Sequence, residues 1–159
     1  MNIILLSGGS GKRLWPLSND IRSKQFIKLF KDDNGNYESM VQRVYRQITT
    51  VNPMVKVTVA TSKNQVSVIK SQLGEKINIC VEPSRRDTFP AILLAAAYIH
   101  YELGIGVEEC IAVCPVDPYV DNDYYKCVGE LENLVEAGTA NLTLMGIKTT
   151  YPRDKYGYK

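Results

Sequence analysis

The stretch Asn2-Ile3-Ile4-Leu5-Leu6-Ser7-Gly8-Gly9-Ser10-Gly11-Lys12-Arg13-Leu14-Trp15-Pro16-Leu17-Ser18 decides the fold, because a short apolar run passes directly into a turn rich in glycine. A continuous apolar run of this length suits a strand buried on both faces of a parallel sheet. Gly8, Gly9 and Gly11 let the backbone turn tightly and bring successive N–H groups against a ligand, as a phosphate nest requires. Lys12 and Arg13 add positive charge at the same place. A plain tight turn would use the same glycines, so the rest of the chain has to decide between the two.

Working outward, four more runs have the same character: Lys56–Ala60, Ile77–Val81, Glu109–Cys114 and Leu142–Ile147. Between the runs lie segments of helical period, Glu38–Thr49, Lys63–Leu73, Phe89–Leu103 and Asp123–Ala137. Gly74, Gly104 and Gly138 each stand where a left-handed C-terminal cap belongs, and Pro90 stands near a helix start, where its missing N–H costs little. This alternation predicts an α/β fold, a Rossmann-like, doubly wound and mainly parallel sheet, with residues 1–159 forming one core and no linker between domains. Ligands bind beyond the carboxyl ends of strands in such sheets, so each strand-to-loop junction is a candidate site.

Composition narrows the function. The chain has 159 residues, 45% hydrophobic and 23% charged, as in an ordinary globular domain. No apolar run approaches the roughly 20 residues that span a bilayer, and Asn2–Leu6 is too short for a secretory apolar region; a cytoplasmic protein with no membrane partner is expected. The net charge of +2 hides a gradient: residues 1–50 carry 8 Lys/Arg against 4 Asp/Glu, residues 51–100 carry 6 against 3, and residues 101–159 carry 5 against 10. A nucleic-acid partner would call for a larger overall excess of cations. A basic first part facing an acidic last part suits a small anionic ligand with a divalent cation, although solvated surface charge would give the same counts. Cys80, Cys110, Cys114 and Cys127 form no C-x-x-C, and the single His100 is placed within a helical segment, so neither a zinc site nor a disulfide framework is expected.

Two familiar phosphate loops fail on the first junction. A Walker loop would need Gly at position 6 and Ser or Thr at position 13, where Leu6 and Arg13 stand. A dinucleotide fingerprint starting at Gly9 would need a small residue at position 14, where Leu14 stands. The full string Gly8-Gly9-Ser10-Gly11-Lys12-Arg13-Leu14-Trp15-Pro16-Leu17-Ser18 instead resembles the signature of the sugar-1-phosphate nucleotidyltransferases, and its Arg-Leu-Trp-Pro-Leu-Ser ending resembles the mannose-1-phosphate guanylyltransferase branch. Ser23-Lys24-Gln25-Phe26 is similar to the P-K-Q-F element of that branch, with Ser23 in place of proline. The resemblance implies that Gly8, Gly9 and Gly11 cradle the nucleotide phosphates, that Arg13 steadies the triphosphate, and that Lys24 binds phosphate. Arg13 and Lys24 are the expected catalytic residues.

Two later junctions extend the resemblance. Glu82-Pro83-Ser84-Arg85-Arg86-Asp87-Thr88-Phe89-Pro90-Ala91-Ile92 is similar to the branch pattern E-P-x-x-R-N-T-A-P-A-I, departing from it at Asp87 and Phe89. One carboxylate can accept both the N1–H and N2–H₂ of guanine, so Glu82 is the expected nucleobase contact and favours GTP over dTTP or UTP. Asp87 would repel anions and serves equally well as a helix cap. Asp117, in Pro115-Val116-Asp117-Pro118-Tyr119, is the expected Mg²⁺ ligand, since that hard ion takes one or two carboxylates together with phosphate oxygens. Tyr119 stands near a position where the family has histidine, while Asp121 and Asp123 read as the cap and first turn of a helix. Tyr151–Tyr158 is similar to a sugar-side P-E-T-G-Y-G-Y element, making Tyr156 and Gly157 candidates for sugar binding.

The resemblance implies attack by mannose-1-phosphate on the α-phosphorus of GTP, giving GDP-mannose and pyrophosphate with Mg²⁺ as cofactor. It covers all 159 residues but only the first half or less of a family member, so an incomplete domain is expected, with turnover by these residues alone in question. A homo-oligomer is compatible with it. The alternatives are a catalytically silent nucleotide-binding module and a glucose-1-phosphate thymidylyl- or uridylyltransferase.

Overall fold

The computed structural model describes residues 1–9, 16–18 and 23–148. Four strands form one parallel sheet: β1 (Asn2–Leu6), β4 (Lys56–Ser62), β5 (Asn78–Glu82) and β6 (Ile111–Pro115), in the order β5-β4-β1-β6. Between β1 and β4 the chain makes an antiparallel hairpin, β2 (Lys28–Lys31) and β3 (Tyr37–Ser39), and then α1 (Met40–Val51). Helix α2 (Val66–Leu73) links β4 to β5, α3 (Thr88–Tyr101) links β5 to β6, and α4 (Asn122–Glu136) follows β6.

Alternation along the strands sorts the helices onto two faces. Ile3, Leu5, Val57 and Val59 point to one face and meet Val41, Val44 and Ile48 of α1, Ile69 of α2, and Tyr125 and Val128 of α4. Ile4, Ala60 and Cys80 point to the other face and meet Ala95 and Ile99 of α3. The chain moves from β1 through β4 to β5 with its helices on the first face, then returns past β1 to β6 with α3 on the second, as crossovers of one hand require.

Local chemistry fixes the helix starts. Ser39 Oγ accepts from the Gln42 N–H at 3.3 Å and Gln42 Oε1 accepts from the Ser39 N–H at 3.1 Å, a capping box worth about 1 kcal/mol. Asp121 Oδ1 accepts from the Asp123 and Tyr124 N–H groups at the head of α4. Gly74, Gly104 and Gly138 all have positive φ beyond the ends of α2, α3 and α4. Among the described residues no helix is long and apolar enough to cross a membrane.

Two expectations need correction. Leu142–Ile147 forms no strand, and Leu142, Leu144 and Ile147 are exposed. Its apolar pattern records a capacity for burial, but a strand exists only with a partner, and among the described residues the outer edge of β6 pairs with none. The β2–β3 hairpin falls in a stretch assigned to no element except for the first residues of a helix. Its signal was present: Asn34-Gly35 is a strong turn pair, Gly35 has φ 82°, and Asp32 Oδ1 accepts from the N–H groups of Asn34 and Asn36.

Candidate functional site

Strand order reverses between β1 and β6, and in open α/β sheets the region beyond the carboxyl ends of the strands at that point receives ligands. Gly8 and Gly9 follow β1 there, Asp117 follows β6, and Glu82 closes β5. Lys24 arrives from a one-turn helix, Lys24–Phe26, placed after the glycine turn in sequence but beside it in space.

Two contacts join residues far apart in the chain. Lys24 Nζ donates to Asp117 Oδ2 at 2.5 Å, bridging 93 positions. A Cβ added at Gly8 would stand 3.5 Å from Glu82 Oε1, so the first glycine of the turn lies directly against the carboxylate that ends β5. Burial, and then the negative charge of Glu82, push up the pKa of Cys80, two residues earlier on the same strand.

A fully buried polar group lies beneath the turn. Gln25 Nε2 donates to the Ser7 carbonyl at 2.9 Å, while Gln65 Nε2 donates to Ser23 Oγ at 2.8 Å and reaches the Gly9 carbonyl at 3.5 Å. Thr61 Oγ1 donates to Gln65 Oε1 at 2.7 Å. Gln25 Oε1 faces Gly9 and has no donor among the described residues.

The Asp117 loop is fastened from the other side. Arg43 and Gln47, both on α1, donate to the Val120 carbonyl at 3.1 and 2.9 Å. The Arg43 guanidinium lies 4.7 Å from the centre of the Tyr119 ring, which also meets Phe30 of the hairpin at 5.5 Å. Arg43 and Arg46 are both held by the nearly buried Glu38 carboxylate.

The residues singled out in the sequence therefore divide. Gly8, Gly9, Lys24, Glu82 and Asp117 come together at one edge of the sheet. Gly11, Arg13, Tyr156 and Gly157 lie outside the described residues. Asp87 caps α3, with Oδ1 accepting from the Thr88 N–H at 2.8 Å, and adopts φ 71°. His100 Nδ1 meets the Ile105 carbonyl at 2.8 Å beyond the end of α3, a structural contact away from the site. Among the described residues the one group of three potential metal-ligating side chains is Cys110, Glu132 and Glu136. That group is at the opposite end of β6 from Asp117, and the Met1 ammonium already occupies Glu132 at 3.0 Å. The buried glutamines and the Tyr119 stack were not singled out in advance. A Gln at a strand-to-helix junction has no sequence mark separating a buried bridge from a surface residue.

Comparison with known proteins accords with this geometry. The sequence profile described as nucleotidyl transferase matches residues 2–159. A mannose-1-phosphate guanylyltransferase of Escherichia coli is 33% identical over 159 residues, a match covering 98% of this chain and 33% of that protein. The alginate biosynthesis protein AlgA of Pseudomonas putida is 32% identical, with 98% of this chain and 31% of that protein covered. The chain thus spans about a third of the length of these curated relatives. A solved structure from Thermus thermophilus, described as a mannose-1-phosphate geranyltransferase, aligns with TM-score 0.65 and 29% identity over 86% of this chain and 37% of that one. A Bacillus anthracis structure assigned as a glucose-1-phosphate thymidylyltransferase shares the fold, with TM-score 0.63 and 17% identity over 84% of this chain and 50% of that one. By sequence across its length and by the architecture of its sheet, the chain belongs to the nucleotidyl transferase family.

Proposed function

We propose that the chain carries the nucleotide side of a guanylyltransferase that forms GDP-mannose and pyrophosphate from GTP and mannose-1-phosphate. One observation carries this reading: Gly8 against Glu82 and Lys24 against Asp117 stand at the same carboxyl edge of the sheet, the second pair where strand order reverses. The names of the relatives supply the sugar and the base.

In this reading a phosphate oxygen of mannose-1-phosphate attacks the α-phosphorus of GTP, a new P–O bond forms, and the bond to the β-phosphate breaks as pyrophosphate leaves. No covalent enzyme intermediate is needed, so the protein's task is in-line positioning and charge neutralisation. Backbone N–H groups at Gly8, Gly9 and Gly11 receive phosphate oxygens, Arg13 and Lys24 offset their charge, and Glu82 accepts from the guanine edge. Tyr156 and Gly157 are assigned to the sugar.

Asp117 fits a Mg²⁺ ligand: its carboxylate already faces a cation, the Lys24 ammonium, and remains half exposed. When bound, the metal supplies neutralisation of phosphate charge. The Lys24 ammonium, beside Asp117, would offset charge on a phosphate oxygen.

The test is calorimetry of GTP with Mg²⁺ paired with a pyrophosphate-release assay, including UTP and dTTP as competitors. Release that depends on mannose-1-phosphate and prefers GTP supports the proposal. Because the chain spans only a third of its curated relatives, binding without release would support a silent nucleotide-binding module instead. Preference for dTTP or UTP would overturn the guanine assignment.

A further inference from the structure

Five polar side chains at the carboxyl edge of the sheet are almost completely buried: Ser7, Ser23, Thr61 and Gln65 at 0% exposure and Gln25 at 2%. Burying such groups costs free energy unless each is hydrogen-bonded, and apolar side chains of similar size would fill the same space without that demand. Their arrangement is specific. Gln65 sits in the turn Lys63–Gln65 just after β4. Its amide oxygen is held by the Thr61 hydroxyl at 2.7 Å, which fixes which way the amide faces. Its NH₂ group then reaches two segments that are separate in sequence: the Ser23 hydroxyl at 2.8 Å and, at a longer 3.5 Å, the Gly9 carbonyl.

Those two segments carry the phosphate-facing groups. Gly9 belongs to the glycine turn, and Ser23 immediately precedes Lys24. The Ser23 backbone, at φ −67° and ψ 157°, needs no special residue, so its hydroxyl is the feature that distinguishes it.

We propose that Gln65 is a positioning residue that sets the distance between the glycine turn and Lys24, acting through the Ser23 hydroxyl and anchored on β4 by Thr61. The bridge touches no ligand itself. It makes the backbone at Gly9 and the backbone that carries Lys24 a preformed unit, so less ordering remains to be done when phosphate arrives. This inference rests on the reading of that edge as a phosphate site.

The test uses the full-length protein and the variants Ser23→Ala, Gln65→Met and the double variant. GTP affinity with Mg²⁺ is measured by calorimetry, and amide hydrogen exchange is followed at Ser7, Phe26 and Ile27, whose N–H groups donate to the carbonyls of Ala60, Ser23 and Lys24. Each single substitution is expected to weaken GTP binding on the order of tenfold. The double variant should be no weaker than the worse single, because both cut one connection. Exchange at the three amides should accelerate together. GTP affinity within twofold of wild type in folded Ser23→Ala, additive losses in the double variant, or exchange unchanged at these amides would each overturn the proposal. If Gln65→Met does not fold, Ser23→Ala, which removes one oxygen, decides by itself. A wild-type protein that binds no nucleotide would defeat the functional reading instead, and the exchange measurement would still decide whether the bridge holds the two segments together.

Discussion

Asp117→Asn should separate stability from function. Among the described residues Asp117 makes one ionic contact, to Lys24 Nζ, and the two side chains are 53% and 39% exposed. An ion pair this open to water is worth about 0–1 kcal/mol, because solvent screens it and two flexible side chains must be held still. The substitution removes that attraction but keeps the size of the side chain. The loss in unfolding free energy should therefore stay below about 1 kcal/mol, or about 2–4 °C in melting temperature for a domain of this size. A carboxylate that holds a metal against a reacting phosphate has a different scale, since losing one charge-stabilising contact of that kind costs about 10²–10³ in rate. The assay is a Mg²⁺ titration of pyrophosphate release by the full-length protein, alongside urea denaturation of wild type and variant. A strongly weakened metal dependence with near-native stability is expected. An unchanged titration, or a stability loss above about 2 kcal/mol, would make Asp117 a structural residue and not a metal ligand.

Glu82→Gln keeps the shape beside Gly8 but offers guanine one acceptor and one donor where two acceptors are wanted. GTP binding should weaken on the order of tenfold or more while UTP binding holds or improves, measured by calorimetry. Cys114, on β6, has its thiol pushed by burial from 9.0 up to about 11. The folded thiol thus keeps its proton where the unfolded one releases it, so this contribution is complete below pH 9 and is lost as pH rises through 11. The loss is on the order of 3 kcal/mol, a pKa unit being worth about 1.4 kcal/mol. Denaturation at intervals from pH 8 to 11 should show that extra decline in wild type and not in Cys114→Ala. Asp87→Gly relieves a backbone at φ 71° and gives up a cap, two effects of similar size. It should change stability by less than about 1 kcal/mol, whereas Asp87→Val, which loses the cap and keeps the strain, should cost about 2 kcal/mol or more in the same measurement.

The parallel sheet was legible because its strands carry short apolar runs, most continuous in the central β1, which is buried on both faces, whereas Val81 of β5 and Ile111 and Val113 of β6 at the edges stay exposed. Ile3, Ile4 and Leu5 are all fully buried although they alternate between faces, and no polar residue breaks the pattern. The hairpin was less visible, since Lys28-Leu29-Phe30-Lys31 is exposed along most of its length and needs no apolar run. Leu142–Ile147 misled for the converse reason, having strand character without a strand beside it. In the site, Gly8, Glu82 and Asp117 could be singled out because each closes or follows a strand, where the fold rule already looks. Their pairing could not be foreseen: the ammonium of Lys24 finds Asp117 across 93 positions only because β1 and β6 are neighbours.

That neighbourhood also explains how the site is supported. The glycine turn is held from the β4 side, by Gln65 and Thr61 beneath Ser23 and Gly9. The Asp117 loop is held from the α1 side, by Arg43 and Gln47 on the Val120 carbonyl and by the Tyr119 ring between Arg43 and Phe30. Among the described residues the one side-chain hydrogen bond from Lys24 or Asp117 to either support is the bond they make with each other. Beneath these two walls of the site β1 and β6 are paired, with the Val116 N–H donating to the Leu6 carbonyl at 3.3 Å, whereas above, among the described residues, the side chains of the two walls meet in one exposed ion pair that costs little to open. Such an arrangement suits the proposed binding of a triphosphate: the backbone beneath each wall is held in place, and the contact that would break on entry is the weak one.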